Sequence, residues 1–346
     1  MSEKDDKTSK LIDEVMQTKR NLLSNIYDDF YGGTKLDRNA AVSGTAATAD
    51  NNDKSSEEET AATGTAEATA QKEPEEDPMV TLDKLIGLEQ IKKDVRELAD
   101  FAKVQKARKD AGMKSVPISM HLVFTGNPGT GKTTVARILA KIYKNIGVLP
   151  TGQLVETDRS GLVAGYVGQT AIKTQGLISK ALGGILFIDE AYALSQKDDA
   201  FGQEAIDTLL KAMEDHREEL VVIVAGYTEP MEKFINSNPG LKSRFNKYFE
   251  FPDYTMDELI DIFKLDCTKY DYTISEDTLK HVRELLAARR LASIDNFANA
   301  RDVRNLFETI VTNQARRVAG LKDPTREQMM EILPEDLIDE PEETSP

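Results

Sequence analysis

Hydrophobic and polar positions divide the chain after residue 79 into two regions. In the first, short apolar runs alternate with segments in which apolar residues recur at helical spacing. The apolar runs lie at 121–126, 154–158, 185–189, 220–227 and 248–251. Alternating strands and helices are typical of a parallel sheet with helices on both faces. We therefore predict an α/β domain over residues 79–255.

In the second region, apolar runs of strand length stop after Pro252. Helical periodicity continues through 256–270, 275–290, 301–318 and 325–333. This pattern predicts a small, separate, all-helical domain over residues 256–333.

The segments outside these two regions carry most of the net charge. Residues 1–36 contain apolar positions at helical spacing between Leu11 and Phe30, which predicts an amphipathic helix that either binds a partner or packs on the body. Residues 37–78 hold eleven acidic and three basic residues and almost no large apolar ones, and residues 334–346 hold six acidic and no basic residues. We expect a disordered linker and a disordered tail because neither can bury a core.

Composition excludes several classes of protein. The net charge of −16 argues against a general nucleic-acid or anionic-membrane binder. The single cysteine, Cys267, cannot form an internal disulfide, and the three histidines form no zinc-binding pattern. No apolar signal core follows the N-terminus, and no apolar run is long enough to span a bilayer. We expect a cytoplasmic protein without membrane insertion.

A phosphate-binding loop follows the first predicted strand and precedes a helical stretch from Thr134. It reads Gly126-Asn127-Pro128-Gly129-Thr130-Gly131-Lys132-Thr133. In such a P-loop, backbone N–H groups and the helix N-terminus surround phosphates, the lysine reaches the β- and γ-phosphates, and the last hydroxyl binds Mg²⁺. The alternative, a glycine turn beside an exposed lysine, does not require the strand–loop–helix context. ATP and Mg²⁺ are the predicted cofactors.

Two adjacent carboxylates follow the apolar strand at 185–188. We assign Asp189 to the Mg²⁺ shell and Glu190 to activation of the attacking water. A solvated strand end would also explain two acids, but not their presence beside a P-loop. A small-molecule kinase needs no glutamate after the aspartate, so ATP hydrolysis is favoured.

Further runs resemble the AAA+ ATPases, and within them the family of red-type Rubisco activases (CbbX) and stage V sporulation protein K. These runs lie at 165–170, 182–194, 225–227 and 238–245, and the similarity covers about residues 80–335. The resemblance implies an AAA+ parallel sheet sandwiched by helices, followed by a small helical lid. It also implies a ring-shaped homo-oligomer, and the expected number of subunits is six. The leading helix and the acidic insert depart from the family pattern.

The resemblance also implies residue roles. Arg244 would reach the γ-phosphate of the next subunit, unless it only pairs with a surface carboxylate. Arg301 would be the second sensor, with Arg304 as the fallback, unless either only forms a salt bridge on the helix surface. Thr228 would hold the attacking water, or belong to a strand-end turn. Leu85, Ile86 and Gly87 would meet the adenine base, or only pack at a helix entry.

The triplet Tyr166, Val167 and Gly168 lies in a polar stretch from 158 to 169. In ring ATPases of this kind it lines the central channel and grips an extended client, although Tyr166 could also fold down on the domain surface. The sequence therefore predicts an ATP-driven motor that remodels a client protein. An ATP-gated scaffold that does not thread a client is the alternative, and a DNA-associated loader has no support from the net charge. The client, whether Rubisco, a sporulation target or a secretion substrate, is open.

Overall fold

The computed structural model describes residues 76–114, 119–166, 168–197, 199–292 and 297–337. The chain divides into two units, Met1–Ala70 and Gln71–Pro346, and every described residue belongs to the second. The amphipathic helix predicted within 1–36 therefore lies outside the described residues. So do most of the linker at 37–78 and most of the tail at 334–346. The last part of the predicted linker begins the fold, because Asp77 caps the first helix and Pro78 is its first residue.

The first region forms a five-stranded parallel sheet in the order β2-β3-β4-β1-β5. The strands are β1 (Leu122–Gly126), β2 (Leu154–Thr157), β3 (Ile185–Ile188), β4 (Val221–Gly226) and β5 (Lys247–Phe251). These are the five predicted strands. The prediction of an α/β fold is confirmed.

Eight helices of the described chain accompany this sheet. They are α1 (Pro78–Asp83), α2 (Glu89–Asp110), α3 (Lys132–Asn145), α4 (Arg159–Leu162), α5 (Gln169–Ala181), α6 (Ala200–Asp215), α7 (Thr228–Ser237) and α8 (Pro239–Arg244), together with the 3-10 helix Ala191–Ser195. The short helices α4 and α8 are not among the predicted elements, since the sequence showed only a polar stretch at 158–169 and no helix was predicted just before Arg244. Asp158 and Asn238 cap them, so single capping residues stabilise helices too short to show periodicity.

Each face of the sheet is buried in its own hydrophobic cluster. In β1, Leu122 and Phe124 pack with α2 and α3, whereas Val123 belongs to the cluster that contains residues of α5, α6 and α7. This follows from the two-residue period of a strand, which sends successive side chains to opposite faces. The sheet is therefore sandwiched by helices, as predicted.

The second region is mostly helical and follows the sheet. Its elements are α9 (Met256–Lys269), β6 (Thr273–Ile274), α10 (Glu276–Ala292), α11 (Ala300–Ala319), α12 (Arg326–Met330), β7 (Glu331–Ile332) and the 3-10 helix Pro334–Leu337. The parallel pair of β6 and β7 corrects the expectation that no strand follows Pro252. The predicted last helix, 325–333, ends at Met330 because the chain then enters β7. A strand of two residues has no periodicity that a sequence pattern could reveal.

The beginning of the predicted tail is part of this helical region. Asp336 is 2% exposed, and both its carboxylate oxygens accept hydrogen bonds from Arg317, at 2.8 and 2.9 Å. Its Oδ2 also accepts the backbone N–H of Leu333 at 2.8 Å. Residues 334–337, assigned to the tail from their acidity, are therefore packed against α11.

Within the residues described, no helix is long and apolar enough to cross a membrane.

Candidate functional site

Three predicted site segments meet at the carboxyl edge of the sheet. The P-loop follows β1, Asp189 and Glu190 follow β3, and Thr228 follows β4. Because the strands are parallel and β4 lies between β1 and β3, these chain ends share one edge. In open α/β sheets, ligands bind outside the carboxyl ends of the strands.

The P-loop has the geometry of a phosphate cradle. Gly131 stands at the N-cap of α3 with φ of 95°, a left-handed conformation that favours glycine, and no side chain caps the helix. The first N–H groups of α3 are therefore available to an anion at the positive end of the helix dipole. Thr133 lies half-buried in the first turn of α3, and Thr134 beside it is exposed.

The Lys132 amino group lies inside this cradle. Its Nζ donates to the carbonyl oxygens of Gly126 at 2.9 Å and Asn127 at 2.7 Å. Burial lowers the pKa of Lys132, while the nearby Asp189 carboxylate acts in the opposite direction and the Arg301 guanidinium adds to the lowering. The negative charges of Asp253 and Glu190 also raise the pKa of Lys132. The structure thus brings together the predicted Lys132, Asp189, Glu190 and Arg301.

A surface cavity of about 440 Å³ adjoins the first turn of α3. It is lined by Thr133, Glu156, Thr157, Asp158, Gly161, Phe187 and Asp189. Hydroxyl and carboxylate oxygens are the ligands that Mg²⁺ prefers, so the donors present fit this ion. Sequence analysis did not select Glu156 or Asp158, although both are acidic residues at the end of a predicted strand.

Tyr192 is a neighbour of Glu190. It lies within the family-like run at 182–194 but was not predicted as a site residue. Its ring lies 6.3 Å from that of Tyr227, and a Cβ added at Gly226 would lie 2.8 Å from the Tyr192 ring. Burial raises the pKa of Tyr192 to about 12, and the charge of Glu190, to which its side chain hydrogen-bonds, contributes to the rise. The neutral Tyr192 hydroxyl can therefore donate a hydrogen bond to the Glu190 carboxylate.

The structure gives different surroundings to the other predicted contacts of the nucleotide. Thr228 is exposed and is the first residue of α7, which corrects the alternative of a strand-end turn. Leu85 packs against the core, whereas Ile86 and Gly87 are half-buried between α1 and α2. The next residue, Leu88, lies 3.4 Å from the position of a Cβ at Gly131, so this segment adjoins the P-loop.

The two candidate sensor arginines face different groups. Arg301 lies near enough to Lys132 to lower its pKa, whereas Arg304 lies near Asp266 of α9 and opposes the effect of burial on the pKa of that carboxyl. Both side chains are exposed on α11. The geometry therefore favours Arg301 over the alternative Arg304 as the second sensor.

Arg244 lies at the opposite edge of the sheet from its own P-loop. Its carbonyl oxygen accepts the Ser119 hydroxyl at 2.6 Å, and Ser119 precedes β1, whereas the P-loop follows β1. A strand of this length spans about 16 Å at roughly 3.3 Å per residue. Its guanidinium pairs with Glu214 at 3.3 Å. The structure therefore does not bring Arg244 to the nucleotide site of its own chain.

Tyr166 lies at the tip of an anchored loop. Thr170 Oγ1 accepts the Ala164 N–H at 3.1 Å, and Lys173 Nζ donates to the Val163 carbonyl at 2.9 Å. Tyr166 itself is 74% exposed. Gly168 follows with open space around it, and Val167 lies outside the described residues.

Comparison with known protein families gives two matches. Residues 122–253 match the ATPase family associated with various cellular activities (AAA), and residues 255–346 match the AAA lid domain. The two matched segments correspond to the sheet region and the helical region described above.

Individual proteins are similar over most of this chain. Stage V sporulation protein K of Bacillus subtilis is 41% identical over 73% of this chain and 79% of its own. Protein CbbX of Cereibacter sphaeroides is 44% identical over 68% of this chain and 76% of its own. A chloroplastic ribulose bisphosphate carboxylase/oxygenase activase of Cyanidioschyzon merolae is 41% identical over 79% and 92%.

Among solved structures, the AAA domain of FIGL-1 has the same fold. It is 19% identical, with a TM-score of 0.52 over 79% of this chain and 90% of that chain. The same domain in complex with ADP is 20% identical, with a TM-score of 0.51 over 77% of this chain and 89% of that chain.

Proposed function

This chain belongs to the AAA family of ATPases and is an ATP hydrolase, and on that premise we propose that it works as a ring-shaped, hexameric motor that remodels a client protein. The observation that carries the proposal is the convergence of Lys132, Asp189, Glu190 and Arg301 at the carboxyl edge of the sheet. ATP binding and hydrolysis at this edge would move the helical lid against the sheet.

Each group at the edge has a proposed role. The P-loop, residues 126–134, holds the phosphates, and Lys132 neutralises their β- and γ-oxygens. Thr133 and Asp189 would hold Mg²⁺, which would supply positive charge against the negative charge of the phosphates. Glu190 accepts the proton of the attacking water, and Thr228 orients that water. Ile86 and Gly87 contact the base.

Arg244 completes the site of a neighbouring subunit in this proposal. Its place at the opposite edge of the sheet supports a role in trans, because its own P-loop is a strand length away. An arginine that approaches the γ-phosphate stabilises the charge of the transition state. In the single chain the half-buried guanidinium pairs with Glu214, so a role in trans requires it to exchange this partner for the γ-phosphate.

The loop of Tyr166 carries the proposed contact with the client. An aromatic side chain that is 74% exposed has most of its apolar surface in water, and Ile172 on α5 is 73% exposed. Each of these exposed apolar side chains is available for contact with a partner. Relatives named as Rubisco activases support remodelling as the outcome. The client, the hexameric ring and a cytoplasmic location belong to this proposal.

The alternative is a scaffold that uses ATP to set its assembly state and does not pull on a client. The hydrolytic carboxylate Glu190 favours the motor, because a scaffold that only binds ATP needs no water-activating group.

A comparison of Tyr166 variants separates the two functions. The client is first isolated as the protein that co-purifies with Glu190→Gln in ATP but not with Lys132→Ala. ATP turnover and client release are then measured on the same preparations. Tyr166→Ala should keep turnover within about a few-fold of wild type and lose release, whereas Tyr166→Phe retains the ring area and should keep both. Normal release by Tyr166→Ala would favour the scaffold.

A further inference from the structure

Three side chains join the P-loop to the start of α11, and we call them the clasp: Asn127, Asp253 and Asn299. Asn299 Nδ2 donates to Asp253 Oδ1 at 2.8 Å and to the Pro128 carbonyl at 3.3 Å, and its Oδ1 accepts the Tyr254 N–H at 3.1 Å. Asp253 also accepts from Asn127 Nδ2, at 3.0 and 3.1 Å. The chain segments after β1, after β5 and before α11 therefore meet at one point.

Asn299 does not use its side chain to cap its own helix. Asparagine is a preferred N-cap because its oxygen can accept an N–H of the first helical turn. Here the N-cap Asn299 forms no such bond, and its backbone has φ of 49° and ψ of −124°. Its side chain is fully buried and turned to the P-loop and the β5–α9 connection. A strained backbone of this kind persists only where the surrounding contacts determine it.

The backbones of the P-loop and the lid are also in direct contact. The N–H of Ala300, the first residue of α11, donates to the Gly129 carbonyl at 3.2 Å. A Cβ added at Gly129 would lie 2.0 Å from the Ala298 carbonyl oxygen and 2.9 Å from the backbone nitrogen of Arg301. No side chain fits between these segments, so a movement of the P-loop reaches α11 without an intermediate element.

We propose that Asn299 is a positioning residue that holds the start of α11 against the P-loop and so places Arg301 for reaction. Arg301 is two residues further along the same first turn. The clasp passes a change in the P-loop, such as phosphate binding, to the lid. This inference rests on the proposed function, in which Arg301 is the second sensor that the family resemblance implies and contacts the nucleotide during ATP hydrolysis.

The first test is Asn299→Asp, which is nearly isosteric and tolerates a positive φ. It keeps an oxygen for the Tyr254 N–H, removes the two donated hydrogen bonds, and places a carboxylate beside Asp253. We expect kcat to fall about tenfold to a hundredfold, as for other small misplacements of catalytic groups, while the KM for ATP changes less than about threefold. Asn305→Asp, an exposed change on the same helix, should leave kcat unchanged.

A double variant distinguishes positioning from a structural defect. If Asn299 acts through Arg301, Asn299→Asp combined with Arg301→Ala should be no slower than Arg301→Ala alone. Multiplied effects, or a wild-type kcat in Asn299→Asp, would overturn the proposal. Should Asn299→Asp fail to fold, Asn299→Gly takes its place, because glycine adopts this backbone conformation freely.

Hydrogen exchange tests the clasp without catalysis. In the wild type, a non-hydrolysable ATP analogue should slow exchange of the amides of 299–303, and Asn299→Asp should lose this protection. Equal protection in both would contradict the clasp. If Arg301→Ala hydrolysed ATP at the wild-type rate, the role of Arg301 in catalysis would fail instead, and the exchange result would still test the clasp.

Discussion

At the residue scale, we propose that Lys132 and Glu190 are the two charged groups that decide the chemistry, and their removal should have different effects. Lys132→Ala removes the cation inside the phosphate cradle, so ATP affinity should fall by at least about a hundredfold. Glu190→Gln leaves the cradle intact and removes the base, so ATP should bind normally while kcat falls about a hundredfold or more. Titration with a fluorescent ATP analogue and a phosphate-release assay measure the two quantities.

Lys144→Ala is the control, since it removes an exposed lysine from the other end of α3. Wild-type hydrolysis by Glu190→Gln would show that another group activates the water.

His121, immediately before β1, gives a pH-dependent stability. It is 3% exposed, its Nδ1 accepts the Val222 N–H at 3.0 Å, and burial lowers its pKa to about 4. The Met213 backbone hydrogen-bonds to it, and Arg244 is the charged group that acts on it. Because the pKa is near 6.5 in the unfolded chain, the unfolded state takes up more protons between pH 6.5 and 4. The contribution of His121 to stability is therefore complete above pH 6.5 and is lost as the pH falls to 4.

Between pH 7 and pH 4.5 the expected loss is about 2 kcal/mol of unfolding free energy. Urea unfolding at pH 7 and pH 4.5 measures it. His121→Asn, whose Oδ1 can accept the Val222 N–H, should show a smaller difference between the two pH values than the wild type. The assignment to His121 fails if both proteins lose the same free energy.

Part of the site could be predicted from the sequence, because the residues of each motif are neighbours along the chain. The P-loop and the pair Asp189 and Glu190 are contiguous and follow buried strands, so motif and context lie in one short window. Asp253 and Asn299 are far from Asn127 along the chain and become its partners only through the fold. Nothing in their local sequence distinguishes them from other polar residues at helix ends.

At the element scale, the strands of the main sheet were predictable because each contains apolar residues between helical segments, even in the edge strands β2 and β5, which are only partly buried. Short elements were not. β6 and β7 have two residues each, and α4 and α8 depend on single capping residues. The acidity of 334–337 suggested a solvated tail, but one of its carboxylates, Asp336, is neutralised by Arg317 in the fold.

The contact of the Pro334–Leu337 helix with α11 should depend on Asp336. Asp336→Asn keeps one acceptor oxygen and loses the bidentate pairing with Arg317, so the free energy of unfolding should fall by about 1–3 kcal/mol. Asp277→Asn is the control, because Asp277 pairs with Lys280 at the exposed start of α10, and it should leave stability unchanged. Both are measured by urea unfolding. Equal losses in the two variants would mean that the buried pair adds nothing to the lid.

At the scale of the whole molecule, the proposed ATP hydrolysis depends on sites shared between subunits. One chain holds Lys132 and Glu190 at the carboxyl edge of its sheet and Arg244 at the other edge. In the function that we propose, the Arg244 that completes each site therefore comes from a second chain. Family membership makes an oligomeric ring the expected arrangement, because ring formation is typical of AAA proteins.

The most direct measurement is the ATP turnover of mixed oligomers that contain Arg244→Ala and Glu190→Gln subunits, with different tags to show co-assembly. Each variant alone should hydrolyse poorly. In the mixture, an Arg244→Ala subunit with intact Lys132 and Glu190 meets an intact Arg244 from its neighbour, so turnover should partly recover. Lys132→Ala mixed with Glu190→Gln should not recover, because neither subunit has a working site. Co-assembled Arg244→Ala and Glu190→Gln subunits that remain inactive at every mixing ratio would contradict the shared site.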